Sequence, residues 1–156
     1  MVLTADHGEM LGAKYMWGKE TVFDPAFHVP LVLRVPGTAG GRRVTEITES
    51  TDVAPTILDW IGRKAPPAMD GASLLPFTKG ETPPGWRDAA FAEAEFGHPR
   101  KPTRFTEQLG LTEHQATAAI LRERRWRYVH FGGGLPPLLF DLEADPHETT
   151  DLAQDP

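Results

Sequence analysis

The sequence predicts an α/β fold: part of a mixed-sheet core, residues 1–80, followed by a small C-terminal antiparallel-sheet α+β subdomain, residues 81–156. Three observations predict it. Short apolar runs at residues 1–5 and 29–36 have the unbroken character of strands covered on both faces. One clear amphipathic helix follows at residues 52–62. Beyond a Pro- and Gly-rich stretch at residues 80–87, the apolar residues recur with the period of strands, separated by turn signals.

Bulk properties bound the function. The chain has 156 residues, 40% hydrophobic and 24% charged, within the range of a folded domain or of a core portion plus a subdomain. The net charge of -6 argues against nucleic acid as a partner and requires any anion site to reverse the field locally. There is no cysteine, which excludes disulfides, thiolate metal sites and a cysteine nucleophile within these residues. No apolar run approaches the roughly 20 residues that span a bilayer. Asp6 and Gly8 break the first apolar run too early for a signal peptide. The compartment, cytoplasmic or periplasmic, stays undetermined.

In order along the chain, residues 1–5 read as the end of a buried strand. Residues 9–28 read as a loop with a short helical piece. Residues 29–36 form a second buried strand between prolines, and residues 44–48 a short edge strand. In the helix at 52–62, Ser50, Thr51 or Asp52 is placed to cap the first turn, and Gly62 to end the last. Val53, Ile57 and Ile61 share one face at i, i+4 and i+8, with Ala54 and Leu58 beside them. Residues 73–76 read as an apolar tether and 89–96 as a strand. Residues 98–107 read as a basic loop. Thr112 to Gln115 matches a capping box, which taken alone points to a helix through Leu121. Residues 125–131 alternate as a strand, and 138–142 form another.

Asp6 and His7 are the residues that point to chemistry. A carboxylate and an imidazole at a strand end can meet one divalent ion if Gly8 lets the chain turn. The competing reading is an Asp–His hydrogen bond that orders a loop. Lys19, thirteen positions after Asp6, offers a point charge for a sulfate or phosphate oxygen; the competing reading is a solvated lysine. Glu9 and Glu20 read as surface charges. Among the other histidines, His98 in the basic loop is the best further substrate contact, and His28 reads as structural. The run from Arg122 to Arg125 reads as a solvated face. No nucleophile elbow and no phosphate-cradling loop is present.

Six short motifs stand in a recognisable order. They are Thr4-Ala5-Asp6-His7-Gly8-Glu9, Lys19, Val29-Pro30-Leu31, Asp52 to Leu58, Asp70 to Pro76, and Leu139 to Glu148. Together they resemble the C-terminal part of the sulfatase family, in the arylsulfatase and phosphonate monoester hydrolase branch of the alkaline phosphatase superfamily. The resemblance implies an alkaline-phosphatase-like mixed-sheet core with a four-stranded antiparallel C-terminal sheet. It implies one divalent metal ion, Ca²⁺ or Mn²⁺, with Asp6 and His7 among its ligands and Lys19 on the transferred group. It further implies a formylglycine nucleophile and more ligands upstream, none of them in this chain. Two departures stand out: Ala13-Lys14 where many relatives carry an Asp-His-type pair, and Asp151 where Asn is common. The resemblance also makes residues 117–121 a strand paired with 126–131, which overrides the capping-box helix.

The expected function is therefore the distal part of a metal-dependent hydrolase acting on a small-molecule sulfate, phosphate or phosphonate ester. Such a part alone is expected to be inactive. Neither nucleic acid nor membrane is an expected partner, and a homo-oligomer is left open. A rival reading is a non-catalytic remnant or partner-binding protein, since Met1 falls inside a family strand. A two-metal phosphoglycerate mutase relative shares the Thr-Ala-Asp-His-Gly run but not the later motifs.

Overall fold

The computed structural model describes residues 1–154. Its elements in chain order are β1 (Val2–Thr4), α1 (Asp24–Phe27), β2 (Leu31–Leu33), α2 (Val53–Trp60), α3 (Leu75–Lys79), β3 (Ala89–Glu95), α4 (Arg104–Leu109), β4 (Thr117–Glu123), β5 (Trp126–Phe131) and β6 (Leu138–Asp141). They group into two compact units that the chain visits alternately. One holds Met1–Asp6 and Val29–Asp88; the other holds His7–His28 and everything from Ala89 onward.

In the first unit β1 and β2 pair antiparallel, with Val2 opposite Leu33 and Thr4 opposite Leu31. The expectation of strands buried on both faces fails among the described residues, because Leu3 and Val32 are exposed. A two-stranded ribbon leaves one face without a covering layer, and the apolar run alone does not reveal how many layers cover it. The expected edge strand at 44–48 forms no ladder.

The helix at 53–60 forms as expected, but its buried side is not its apolar stripe. Ile57 and Ile61 are exposed, whereas Asp52, Pro55 and Thr56 are buried. Hydrogen bonds explain the inversion. Asp52 does not cap its own first turn; its carboxylate accepts from the Glu49 and Ala72 amides, each at 2.8 Å, and takes a bidentate grip from Arg87. Thr56 Oγ1 donates to the Asp52 carbonyl at 2.6 Å and accepts from the Leu74 amide at 2.8 Å. A Cβ at Gly71 would collide with the Thr51 carbonyl, so glycine is required where segment 70–74 crosses α2. The expected tether at 73–76 is instead the entry to α3, with Pro76 in its first turn and Phe77 buried edge-on against Trp86 at 4.8 Å.

In the second unit the four strands β3-β4-β5-β6 form an antiparallel meander in sequence order. Ile120 faces Val129 and Leu121 faces Tyr128, the hairpin expected from the resemblance. The capping box at Thr112 and Gln115 closes only a 3₁₀ turn, Glu113–Gln115, before β4 begins. Ala118, Ile120 and Val129 centre the core, with Val22, Phe27, Phe96 and Leu138 packed on them. Residues 98–107, expected as loop, contain the start of α4. Thr103 caps it by accepting from the Thr106 amide at 3.2 Å, and Thr106 returns the contact to the Thr103 amide at 2.9 Å. A Thr-x-x-Thr box here makes the same reciprocal pair of bonds as the Glu or Gln version.

Candidate metal and anion site

Gly8 sets the local path of the chain. Its amide donates to the Ala26 carbonyl at 2.8 Å, and a Cβ there would run into the Pro25 carbonyl. The turn leaves His7 with Nδ1 2.7 Å from the Gly8 carbonyl oxygen. A carbonyl only accepts, so Nδ1 carries the proton and the lone pair of the neutral ring sits on Nε2. Metal-binding imidazoles are commonly oriented in this way, by donating the opposite N–H to a backbone carbonyl. Asp6, the residue before, closes the segment that follows β1.

An oxygen and an imidazole nitrogen fit part of a divalent ion's coordination sphere. Among the described residues, no group of three or more His, Asp or Glu side chains is gathered that would complete one. The pair offers at most two donor atoms to such an ion, and a full sphere would need others.

The segment between His7 and Lys19 is a closed loop. Met10, buried beneath it, donates its amide to the Gly18 carbonyl at 3.0 Å, and Gly12 donates to Met16 at 2.9 Å. Glu9 is exposed, as expected of a surface charge, and its carboxylate also accepts from the Gly18 amide. Lys19 emerges from this closure exposed, and its carbonyl accepts from the Thr21 amide at 2.8 Å. His98 is also exposed; its Nδ1 accepts from the Arg100 amide at 3.1 Å, an interaction within its own turn.

Beneath the loop lies a charged cluster that sequence reasoning missed. Arg127, on β5, is 1% exposed. Its Nη1 donates to Asp24 at 2.8 Å, its Nη2 to the Val22 carbonyl, and its Nε lies 3.0 Å from Glu148. Arg122, expected as part of a solvated run, also reaches Asp24, at 3.1 Å. Arg125, in the same run, pairs with Asp141 at 2.7 Å. His28 sits 3.2 Å from the other Asp24 oxygen, which agrees with its expected structural role. Glu148 accepts from the Asp24 amide at 2.9 Å, and its carbonyl accepts from Lys14 Nζ. The Lys14 ammonium lies 4.3 Å from the centre of the Phe23 ring.

The electrostatics follow from this packing. Burial works to raise the Asp24 pKa, but the His28 hydrogen bond and the charges of Arg122 and Arg127 outweigh it and hold the carboxyl at about 2. The Asp24 bond raises the His28 pKa. Burial pushes Glu148 up and Arg127 down, so each relies on the other's charge to stay ionised. One signal for the cluster was available: an arginine on the inward phase of an otherwise apolar strand requires a buried partner.

Lys14 and Asp151, the two departures from the usual pattern, both have structural work. Lys14 ties the loop to Glu148. Asp151 accepts from the Leu139 and Ala153 amides at 3.0 and 2.9 Å, an acceptor role that Asn and Asp share.

Comparison with known proteins places this geometry. The family model described as N-sulphoglucosamine sulphohydrolase, C-terminal, matches residues 12–156. The multifunctional alkaline phosphatase superfamily protein PehA of Trinickia caryophylli is 38% identical over all of this chain and 30% of its own length. The choline-sulfatase of Rhizobium meliloti is 35% identical over all of this chain and 27% of its own length. Among solved structures, a phosphonate monoester hydrolase from Silicibacter pomeroyi superposes with a TM-score of 0.94 and 46% identity, covering 99% of this chain and 30% of the other. The phosphonate monoester hydrolase of Agrobacterium radiobacter gives 0.90 and 44%, covering 99% and 31%. The chain thus spans about a third or less of the length of the relatives it matches. With its motif order, its four-stranded sheet and these likenesses, the chain belongs to the sulfatase family, as a portion corresponding to the N-sulphoglucosamine sulphohydrolase C-terminal region.

Proposed function

We propose that this chain is the distal part of a metal-dependent hydrolase of sulfate or phosphate/phosphonate monoesters. The observation that carries the reading is His7 held by its Gly8 turn, directly after Asp6, in a chain 46% identical to a phosphonate monoester hydrolase. Asp6 and His7 would hold one divalent ion, Ca²⁺ or Mn²⁺, together with ligands supplied beyond these residues. The formylglycine nucleophile would likewise lie beyond them. Bound there, the ion would polarise the ester and favour the ionised nucleophile.

The chain's own residues then have distinct tasks. The Gly8 carbonyl fixes the tautomer that leaves the His7 lone pair on Nε2. Lys19, exposed where the loop closes, would meet an oxygen of the sulfuryl or phosphoryl group and stabilise charge as it builds. Its ammonium would also reverse locally the field of a chain with net charge -6. His98 is the second polar contact assigned to the substrate.

Lys19→Ala in the polypeptide that carries this chain should lower kcat for p-nitrophenyl sulfate or a phenyl phosphonate ester about 100-fold or more. An unchanged rate with both esters would remove Lys19 from the reaction. His98→Ala is expected to raise KM with little change in kcat, the pattern of a group that binds ground and transition states alike.

A further inference from the structure

We propose that Glu148 is a positioning residue for Lys19, a role that rests on the reading of Lys19 given above: with Arg127 it anchors both ends of the segment that carries the lysine. Lys14 and Asp24 bound that segment, and Lys19 stands midway between them in the sequence. Both bounds are tied to the one residue. Lys14 Nζ donates to the Glu148 carbonyl, and the Asp24 amide donates to Glu148 Oε2 at 2.9 Å. Arg127 holds the second end as well, through the Asp24 carboxylate at 2.8 Å and the Val22 carbonyl. The two ends also meet each other, since the Lys14 ammonium lies 4.3 Å from the centre of the Phe23 ring. All of these residues belong to one compact unit.

Stability alone does not account for this anchor. The Glu148 and Arg127 side chains are each 1% exposed, with Arg127 Nε 3.0 Å from Glu148 Oε1. Among the described residues, neither of these two atoms has an aligned hydrogen bond. Burying two charges is costly, and such a pair is often no more stabilising than apolar side chains of similar volume. Backbone strain adds to that cost. Glu148 sits in the left-handed region at φ 55°, and Lys14, which grips its carbonyl, at φ 52°. Residues other than glycine stay there only where their surroundings over-determine them, and such places cluster at functional sites.

What the buried charges and the strained backbone secure in common is the location of the chain on either side of Lys19. Lys19 is itself exposed, so the path of its backbone decides what its ammonium can reach. A segment released at either end would sample many paths, because each freed residue regains backbone entropy. A charge that stabilises a transition state tolerates little of this: a displacement of about 1 Å can cost about 100-fold in rate. Glu148 touches no reacting atom in this arrangement and acts through the lysine.

Two variants of the polypeptide that carries this chain test the anchor. Glu148→Gln keeps the side chain's size and an acceptor for the Asp24 amide, but turns an N–H donor toward Arg127 Nε. Lys14→Ala releases the other end and leaves the buried pair intact, so it serves even if Glu148→Gln folds poorly. Amide hydrogen exchange over residues 14–24 should quicken about tenfold or more in each variant, with strands β4 and β5 within about twofold of wild type. For a sulfate or phosphonate monoester, kcat should fall about tenfold in Glu148→Gln and about threefold in Lys14→Ala, with KM within about twofold. In a Lys19→Ala background the same substitutions should change kcat by less than about twofold, because their effect runs through the lysine. Equal losses with and without Lys19 would make Glu148 a structural residue only and overturn the proposal. Unchanged exchange over 14–24 in both variants would overturn it as well. An unchanged rate in Lys19→Ala alone would overturn the reading of Lys19, while quickened exchange in Glu148→Gln would still sustain the anchor.

Discussion

Asp52, buried, and Asp24, half-buried, show how single carboxylates organise the two units. Asp52 joins the start of α2 to segment 70–74 and to Arg87 through two amides and a guanidinium. Asp52→Ala leaves those donors without an acceptor in a buried site and is expected to cost about 3–5 kcal/mol, read as a fall in the urea midpoint. Asp52→Asn, which keeps acceptor capacity but loses the charge, should cost less. Asp24 makes an acid-stability prediction. Its folded pKa of about 2 lies below the ordinary 3.8, so its contribution is present above that ordinary value and is lost as pH falls from about 4 through 2. The shift corresponds to about 2 kcal/mol. His28 has the opposite sign: its raised pKa gives stability that is full below about 6.5 and fades as pH rises through the folded value. A pH series of urea midpoints should therefore lose its steep acid limb in Asp24→Asn, after correction for that variant's lower baseline. At this scale the sequence was legible for the turn at Gly8 and for the structural role of His28. The inward phase of Arg127 on β5 signals that it needs a buried partner, but which partner was not legible, because Glu148 and Asp24 stand 21 and 103 positions away.

Elements were legible where their determinants are local and illegible where they are not. The strands β3 and β5 follow from alternation, and β6 from a short apolar run ahead of a turn signal. The helix α2 follows from its spacing and its terminal glycine, but which side faces inward was decided by hydrogen-bond partners at Ala72, Leu74 and Arg87, not by the Val53–Ile57–Ile61 stripe. The α4 helix was overlooked because its cap uses threonine at both positions. Two element-scale predictions follow from these contacts. Thr103→Ala should destabilise by about 1 kcal/mol, the usual cost of a lost N-cap, with helical hydrogen-exchange protection lowered mainly at residues 104–109. Gly71→Ala should cost more than a typical surface change, since the Thr51 backbone must move; a melting temperature within about 1 °C of wild type would contradict the close approach.

For the whole molecule, sequence order and spatial grouping differ. A single cut at residue 80 follows the change of composition, whereas contacts gather residues 7–28 with the C-terminal sheet through pairs such as Asp24–Arg127 and Lys14–Glu148. The motifs that made the family recognisable divide in the same way. Those at 52–58, 70–76 and 139–148 hold the fold together, while Asp6, His7 and Lys19 are the residues assigned to chemistry. The likeness to relatives of which this chain spans about a third or less makes the complete polypeptide the right object for a functional test. The most direct test of the central claim is ester hydrolysis by that polypeptide, purified from its source cells, before chelation, after chelation and after Mn²⁺ or Ca²⁺ is restored. The account predicts cleavage of a sulfate or phosphonate monoester, a loss of about tenfold or more on removal of the metal, and recovery when it returns. No cleavage of either ester class, or a full rate in the chelated protein, would contradict it.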